Sequence, residues 1–188
     1  MNFEEKVIKH EPKFNGHIID VEVQTVELPN GQTAVRDIVH HVPAVAVLAI
    51  TPDNKALIMQ QWRTALQKVT YEVPAGKLDA RDTNPLHAVV RELNEETRMQ
   101  AGHIEEISSF YLASGYSDEL MHLYLATDLT PVADELPQDF DETLNVQAYS
   151  LDELAKLNEA GKLDDSKTQI AYWYWQANAA RVKGMLHG

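Results

Sequence analysis

The residues best placed to do chemistry lie in Arg91-Glu92-Leu93-Asn94-Glu95-Glu96-Thr97. On a helix, Glu92 and Glu96 are four residues apart and share a face, and Glu95 sits one turn from Glu92 on an adjacent line. Like charges so spaced cost an isolated helix roughly 0.2–0.5 kcal/mol per pair. They also lie beyond the first turn, where the helix dipole would favour them. A bound cation is the natural compensation, and clustered carboxylate oxygens suit Mg²⁺, with Mn²⁺ the alternative. A solvated acidic helix face is the plainer reading of the glutamates taken alone, so their surroundings decide.

The rest of the composition narrows the chemistry. The 188 residues contain no cysteine, which excludes thiolate ligands and disulfides and leaves oxygen or imidazole to hold a metal. A net charge of −13 argues against a general nucleic-acid binder. An anionic phosphate substrate would then need local neutralisation, which carboxylate-held divalent cations supply. No apolar run approaches membrane-spanning length. Nor does Met1-Asn2-Phe3-Glu4-Glu5-Lys6 open as a secretory signal, so a cytoplasmic protein is expected.

The elements that must position these glutamates follow from periodicity. Residues 1–16 are polar and mixed. Partial alternation over 17–28 and again over 33–42, around Pro29-Asn30-Gly31-Gln32, predicts an antiparallel hairpin. Apolar 44–50 reads as a buried strand, followed by strands over 56–62 and 71–73. Asn84-Pro85 opens a helix, with Leu86, Val89, Val90 and Leu93 as its apolar stripe. Strands are expected over 104–112 and 120–126, and an acidic loop over 130–142. Ser150-Leu151-Asp152-Glu153 is a capping box for a helix ending near Gly161, and Ser166-Lys167-Thr168-Gln169 repeats the device before a last helix to about Val182. This order is a mixed α/β arrangement, not a repeated βαβ pattern.

Gly76, Arg91, Glu92, Leu93, Glu95, Glu96 and Met99 stand at the spacings of the Nudix box, G-x5-E-x7-R-E-U-x-E-E-x-G-U with U a bulky aliphatic, and the chain resembles that family. Two positions depart from the pattern. Asp82 replaces the first glutamate, with eight residues rather than seven before Arg91. Arg98 stands where the box has glycine, so the helix is expected to run on, with Gly102 a later stop. The resemblance implies a Nudix-type α/β/α sandwich with a mixed sheet. It divides the chain into an N-terminal hairpin over 1–42, which forms a dimer, and a Nudix hydrolase domain over 43–188.

Val26-Glu27-Leu28-Pro29-Asn30-Gly31, Gln60-Gln61-Trp62-Arg63, Glu72-Val73-Pro74-Ala75-Gly76-Lys77-Leu78 and Ser114-Gly115-Tyr116-Ser117-Asp118-Glu119 are similar to the ADP-ribose pyrophosphatase branch. That branch implies a homodimer without a nucleic-acid or membrane partner, hydrolysing ADP-ribose to AMP and ribose 5-phosphate. By resemblance, Glu92, Glu96 and the carbonyl of Ala75 hold metal. Glu95 is a further ligand or an acid behind the metal, and Arg91 orients the glutamates. Glu142 is the leading base or additional ligand, with Asp139 and Asp141 as alternatives. Arg36, Arg63 and Glu72 contact substrate. The rival readings are hydrolysis of another nucleotide-sugar, a dinucleotide or a nucleoside triphosphate, and a non-catalytic module that senses a nucleotide.

Overall fold

The computed structural model describes residues 1–138, 140 and 142–186, so the alternatives Asp139 and Asp141 lie outside the described residues. Two compact units emerge: Met1–Pro43 with Phe110–Leu120, and Ala44–Ser109 with Met121–Gly188. In the first, β1 (Lys6–Asn15), β2 (Asp20–Glu27) and β3 (Thr33–His40) form an antiparallel sheet in that order. The expected hairpin is β2–β3. β1 escapes a periodicity reading because nearly all of it is exposed, and only its backbone pairing with β2 makes it a strand.

The second unit carries the acidic helix. Its four-stranded sheet has the order β7-β4-β9-β8, from β4 (Ala44–Ala49), β7 (Ala75–Lys77), β8 (Met99–Tyr111) and β9 (Leu120–Pro131). β4 runs parallel to β9 and antiparallel to β7, so the sheet is mixed. A second sheet, β10-β5-β6, joins β5 (Ala56–Arg63), β6 (Lys68–Glu72) and β10 (Leu144–Tyr149), all antiparallel. Helix α1 (Pro85–Thr97) packs on β4 and β7; α2 (Leu151–Glu159) and α4 (Ala179–Met185) flank α3 (Ser166–Ala177), which packs on β4 and β6.

β4 is buried on both faces, which explains its unbroken apolar run. Val45, Val47 and Ala49 pack with Ala88, Val89 and Leu93 of α1 and with Tyr124 and Ala126 of β9. The inward face of α1 differs from the predicted stripe. Leu86 and Val90 are exposed, whereas Glu92, Glu95 and Glu96 are buried beside Val89 and Leu93. Half of the buried face is therefore carboxylate.

Three boundaries are corrected. Arg98 does not extend α1: it adopts a left-handed conformation (φ 60°, ψ 26°) and ends the helix at Thr97. Its guanidinium repays part of that cost by bonding the carbonyls of Asn94 (3.4 Å) and Leu136. Gly102 lies within β8 and stops nothing. The cap of α3 is Asp165, one residue before the expected Ser166, and its carboxylate accepts from the Thr168 amide. The last helix breaks at Asn178 into α3 and α4.

Candidate active site

The site is built from β7 against α1, with each β7 residue addressing one side chain of the helix. The Ala75 amide donates to Glu96 Oε2 at 3.0 Å. The Lys77 carbonyl accepts from Arg91 Nη2 at 2.9 Å. Between them, Gly76 leaves no room for a side chain: a Cβ there would stand 1.9 Å from Glu92 Oε1. The box glycine is required for close approach, not for an unusual backbone angle.

Arg91 is the hub. It donates through Nη1 to Glu92 Oε1 (2.6 Å) and Glu95 Oε2 (2.8 Å), and through Nη2 and Nε to Asp82 (2.9 and 3.3 Å). Asp82 thus keeps a box function despite the longer spacing, and Arg91 holds its carboxyl below the ordinary range. Arg81, which the sequence did not single out, lies 3.5 Å from the other oxygen of Glu95. Both oxygens of Glu95 therefore face guanidinium groups.

Glu92 and Glu96 behave differently. Burial pushes the Glu92 carboxyl up to about 7, with Glu95 and Glu142 adding repulsion that Arg91 only partly offsets. Burial, then Glu92 and Glu142, raises Glu96 well above the carboxylate range. The fold therefore brings Glu92, Glu96 and Glu142 within electrostatic reach of one another. Glu142 is carried there by a loop tied to the end of α1: Asn94 bonds the Asp134 carbonyl and the Leu136 amide, and Val132 donates to the Arg98 carbonyl.

Beside them lies a second ionic group. Arg63, at the end of β5, donates to both oxygens of Glu72 on β6 (2.7 and 2.6 Å). Glu72 is 2% exposed and also accepts from Thr70 (2.6 Å) and from Lys167 Nζ of α3 (2.5 Å). Burial alone would raise the Glu72 carboxyl, but Arg63 and Lys167 outweigh it and hold it at about 2. The charge of Glu142 also bears on Arg63. Lys167 was read from sequence only as part of a capping signal. A lysine in the first turn of a helix opposes the dipole, and that was the clue to a partner elsewhere. Arg36 belongs to the N-terminal unit, where it pairs with Glu5 (2.6 Å).

A divalent ion can be tested against these groups. Among the described residues no three His, Asp or Glu side chains are already drawn into a ligand cage. The donor chemistry nonetheless fits: Glu92 and Glu96 are buried carboxylates that repel each other, with Glu142 within electrostatic reach, and such hard oxygen donors suit a divalent cation.

This combination of a mixed α/β sheet, a glycine-tight loop and an arginine-bound glutamate helix agrees with the comparisons to known proteins. A family model for the NUDIX domain matches residues 40–173, and the chain belongs to the Nudix family as a Nudix hydrolase. It is 39% identical to the ADP-ribose pyrophosphatase of Bacillus subtilis over 95% of this chain and 96% of that protein. It is 42% identical to the methanol dehydrogenase activator of Bacillus methanolicus, again over 95% and 96%. A solved structure described as an ADP compounds hydrolase superposes with a TM-score of 0.85 at 19% identity, covering 97% of this chain and 99% of that one, which establishes the fold. No helix among the described residues is long and apolar enough to cross a membrane.

Proposed function

We propose that the chain hydrolyses the diphosphate bridge of an ADP-sugar, ADP-ribose foremost, to AMP and ribose 5-phosphate, with Mg²⁺ as cofactor and Mn²⁺ as its substitute. The observation that carries this reading is the convergence of Glu92, Glu96 and Glu142 next to Arg63 within one unit. Identity to an ADP-ribose pyrophosphatase over 95% of the chain supports the substrate.

Glu92 and Glu96, with the carbonyl of Ala75, would hold the ions, and Glu142 would join them only if it is a ligand in place of the base. When bound, such ions neutralise charge on the diphosphate and lower the pKa of water. Arg91 fixes Glu92 and Glu95, and the two guanidiniums at Glu95 suit a positioning role better than ligation. Glu142 takes the proton of the attacking water. Arg63 binds the phosphates, since a guanidinium matches phosphate oxygens in geometry and charge, and Glu72 aims it. Arg36 contacts substrate in a homodimer formed through residues 1–42. Exposed Val7, Ile8, Phe14, Ile18 and Val35 support that interface.

A second reading has one observation behind it. A 42% identical relative is named as an activator of methanol dehydrogenase and not as an ADP-ribose pyrophosphatase, so relatives this similar do not share one activity name, and the rivals that the family resemblance implies, another nucleotide-sugar or a dinucleotide, are kept in the test. A panel of ADP-ribose, other nucleotide-sugars, dinucleotides and nucleoside triphosphates, assayed with Mg²⁺ and with products identified, separates them. The highest kcat/KM is expected for ADP-ribose, and a clear preference for a non-adenine compound would overturn the substrate assignment.

A further inference from the structure

Lys167 is difficult to explain as packing. It is 7% exposed and occupies the first turn of α3, where burial and the helix dipole both disfavour a cation. Its ammonium lies 2.5 Å from Glu72 Oε2 and 3.0 Å from Asp165 Oδ1. The same Glu72 oxygen receives Arg63 Nη2 at 2.6 Å. Two cations thus share one buried carboxylate oxygen. Asp165 is the second carboxylate of this group, and its other oxygen caps α3 through the Thr168 amide (3.0 Å) and hydroxyl (2.6 Å), which fixes it beside Lys167.

With Lys167, the group of Arg63, Lys167, Glu72 and Asp165 is neutral overall, and its guanidinium is the cation turned outward. Without Lys167, two carboxylates would stand behind one guanidinium, and their net negative field would oppose an anion. Arg63 is 42% exposed, so the field at its guanidinium reaches a ligand, whereas Lys167 is enclosed. We infer that Lys167 is a positioning residue that acts through Glu72 to balance the buried carboxylates behind Arg63, so that the field at the guanidinium stays attractive to the substrate diphosphate. The inference rests on the proposed role of Arg63 in binding that group. It makes phosphate affinity depend on a lysine that does not touch the ligand.

The test uses the Mg²⁺-loaded full chain and two non-hydrolysable probes, methylenediphosphonate and α,β-methylene-ADP-ribose. Dissociation constants are measured across ionic strength. Lys167→Met is expected to weaken both probes about tenfold and to flatten the salt dependence, as for loss of one charge acting at an effective dielectric near 20. Lys167→Arg should restore both. The Glu72→Gln/Lys167→Met double variant restores the charge balance behind Arg63 but gives up part of its positioning by Glu72, so methylenediphosphonate affinity should recover from the single variant's loss without reaching the parent. A purely structural lysine would instead leave the double variant at least as weak as the single.

Thermal unfolding verifies that each variant is folded, and the double variant stands in if Lys167→Met is not. Parent-like affinity and salt dependence in folded Lys167→Met would overturn the inference, as would a folded double variant without recovery. A parent chain that binds methylenediphosphonate but not the ADP-ribose analogue would sink the substrate assignment while still scoring Lys167.

Discussion

Adding one methyl group at Gly76 is the sharpest perturbation the geometry offers. The Cβ of Gly76→Ala would meet Glu92 Oε1 at 1.9 Å and the carboxyl carbon at 2.1 Å. Ordinary contact needs about 3.5 Å, so the carboxylate must retreat by well over 1 Å. The only flexible partner is the Glu92 side chain, and its retreat breaks the 2.6 Å bond from Arg91. A charge-assisted bond of this kind contributes about 1.5–3 kcal/mol. In a chain of this length, a loss of about 2 kcal/mol lowers Tm by about 4–8 °C. Misplacing a group by about 1 Å can cost on the order of 100-fold in rate. Scanning fluorimetry and kcat/KM on ADP-ribose measure both effects. Gly184→Ala is the control, since nothing lies within 4 Å of its Cβ, and it should leave Tm unchanged or slightly raised. Parent-like Tm and kcat/KM in Gly76→Ala would refute the packing of Glu92 on the loop.

Further outcomes follow from the same geometry. Glu72 is held at about 2, below the ordinary 4.5, so its contribution is complete above 4.5 and is lost as pH falls through about 2. That displacement corresponds to roughly 3 kcal/mol, and Glu72→Gln should flatten the acid limb of urea-unfolding stability over this window; an unchanged limb would contradict the buried pair. Glu92 has the opposite sign. Its folded value is raised to about 7, so the metal-free chain should gain stability as pH falls from about 7 toward 4.5, and Mg²⁺ should abolish the slope. A slope unaffected by Mg²⁺ would count against metal binding at Glu92. Arg98→Ala keeps the left-handed strain and loses the bonds to Asn94 and Leu136, so it should cost about 1 kcal/mol by chemical denaturation. Arg98→Gly relieves the strain and should stay within about 0.5 kcal/mol of the parent; equal losses in the two variants would refute the strain argument.

The glutamate helix could be read from sequence because its spacing, its Asn84 cap and Pro85 are local signals. The burial of those glutamates could not, since periodicity marks apolar faces and the face here is half carboxylate. Arg98 misled because a left-handed residue is expected to be glycine, and only the tertiary bond to Leu136 shows what offsets the strain. β1 left no mark because an exposed strand writes no alternation. β10 and the Lys167–Glu72 pair depend on partners distant in sequence: Leu144 pairs with Gln61, and Lys167 reaches back 95 residues. The contact between Gly76 and Glu92 was implicit in the box spacing, but its cause is steric and needed coordinates.

The most direct test of the central claim is product identification with Glu96→Gln beside the parent chain. ADP-ribose is incubated with Mg²⁺ and the products are resolved by mass spectrometry. The parent should yield AMP and ribose 5-phosphate in equal amounts, only when Mg²⁺ is present. Glu96→Gln should fold but lose turnover by at least about 100-fold. Hydrolysis that persists in chelator, or that Glu96→Gln leaves intact, would contradict a metal-dependent diphosphate hydrolase centred on this helix.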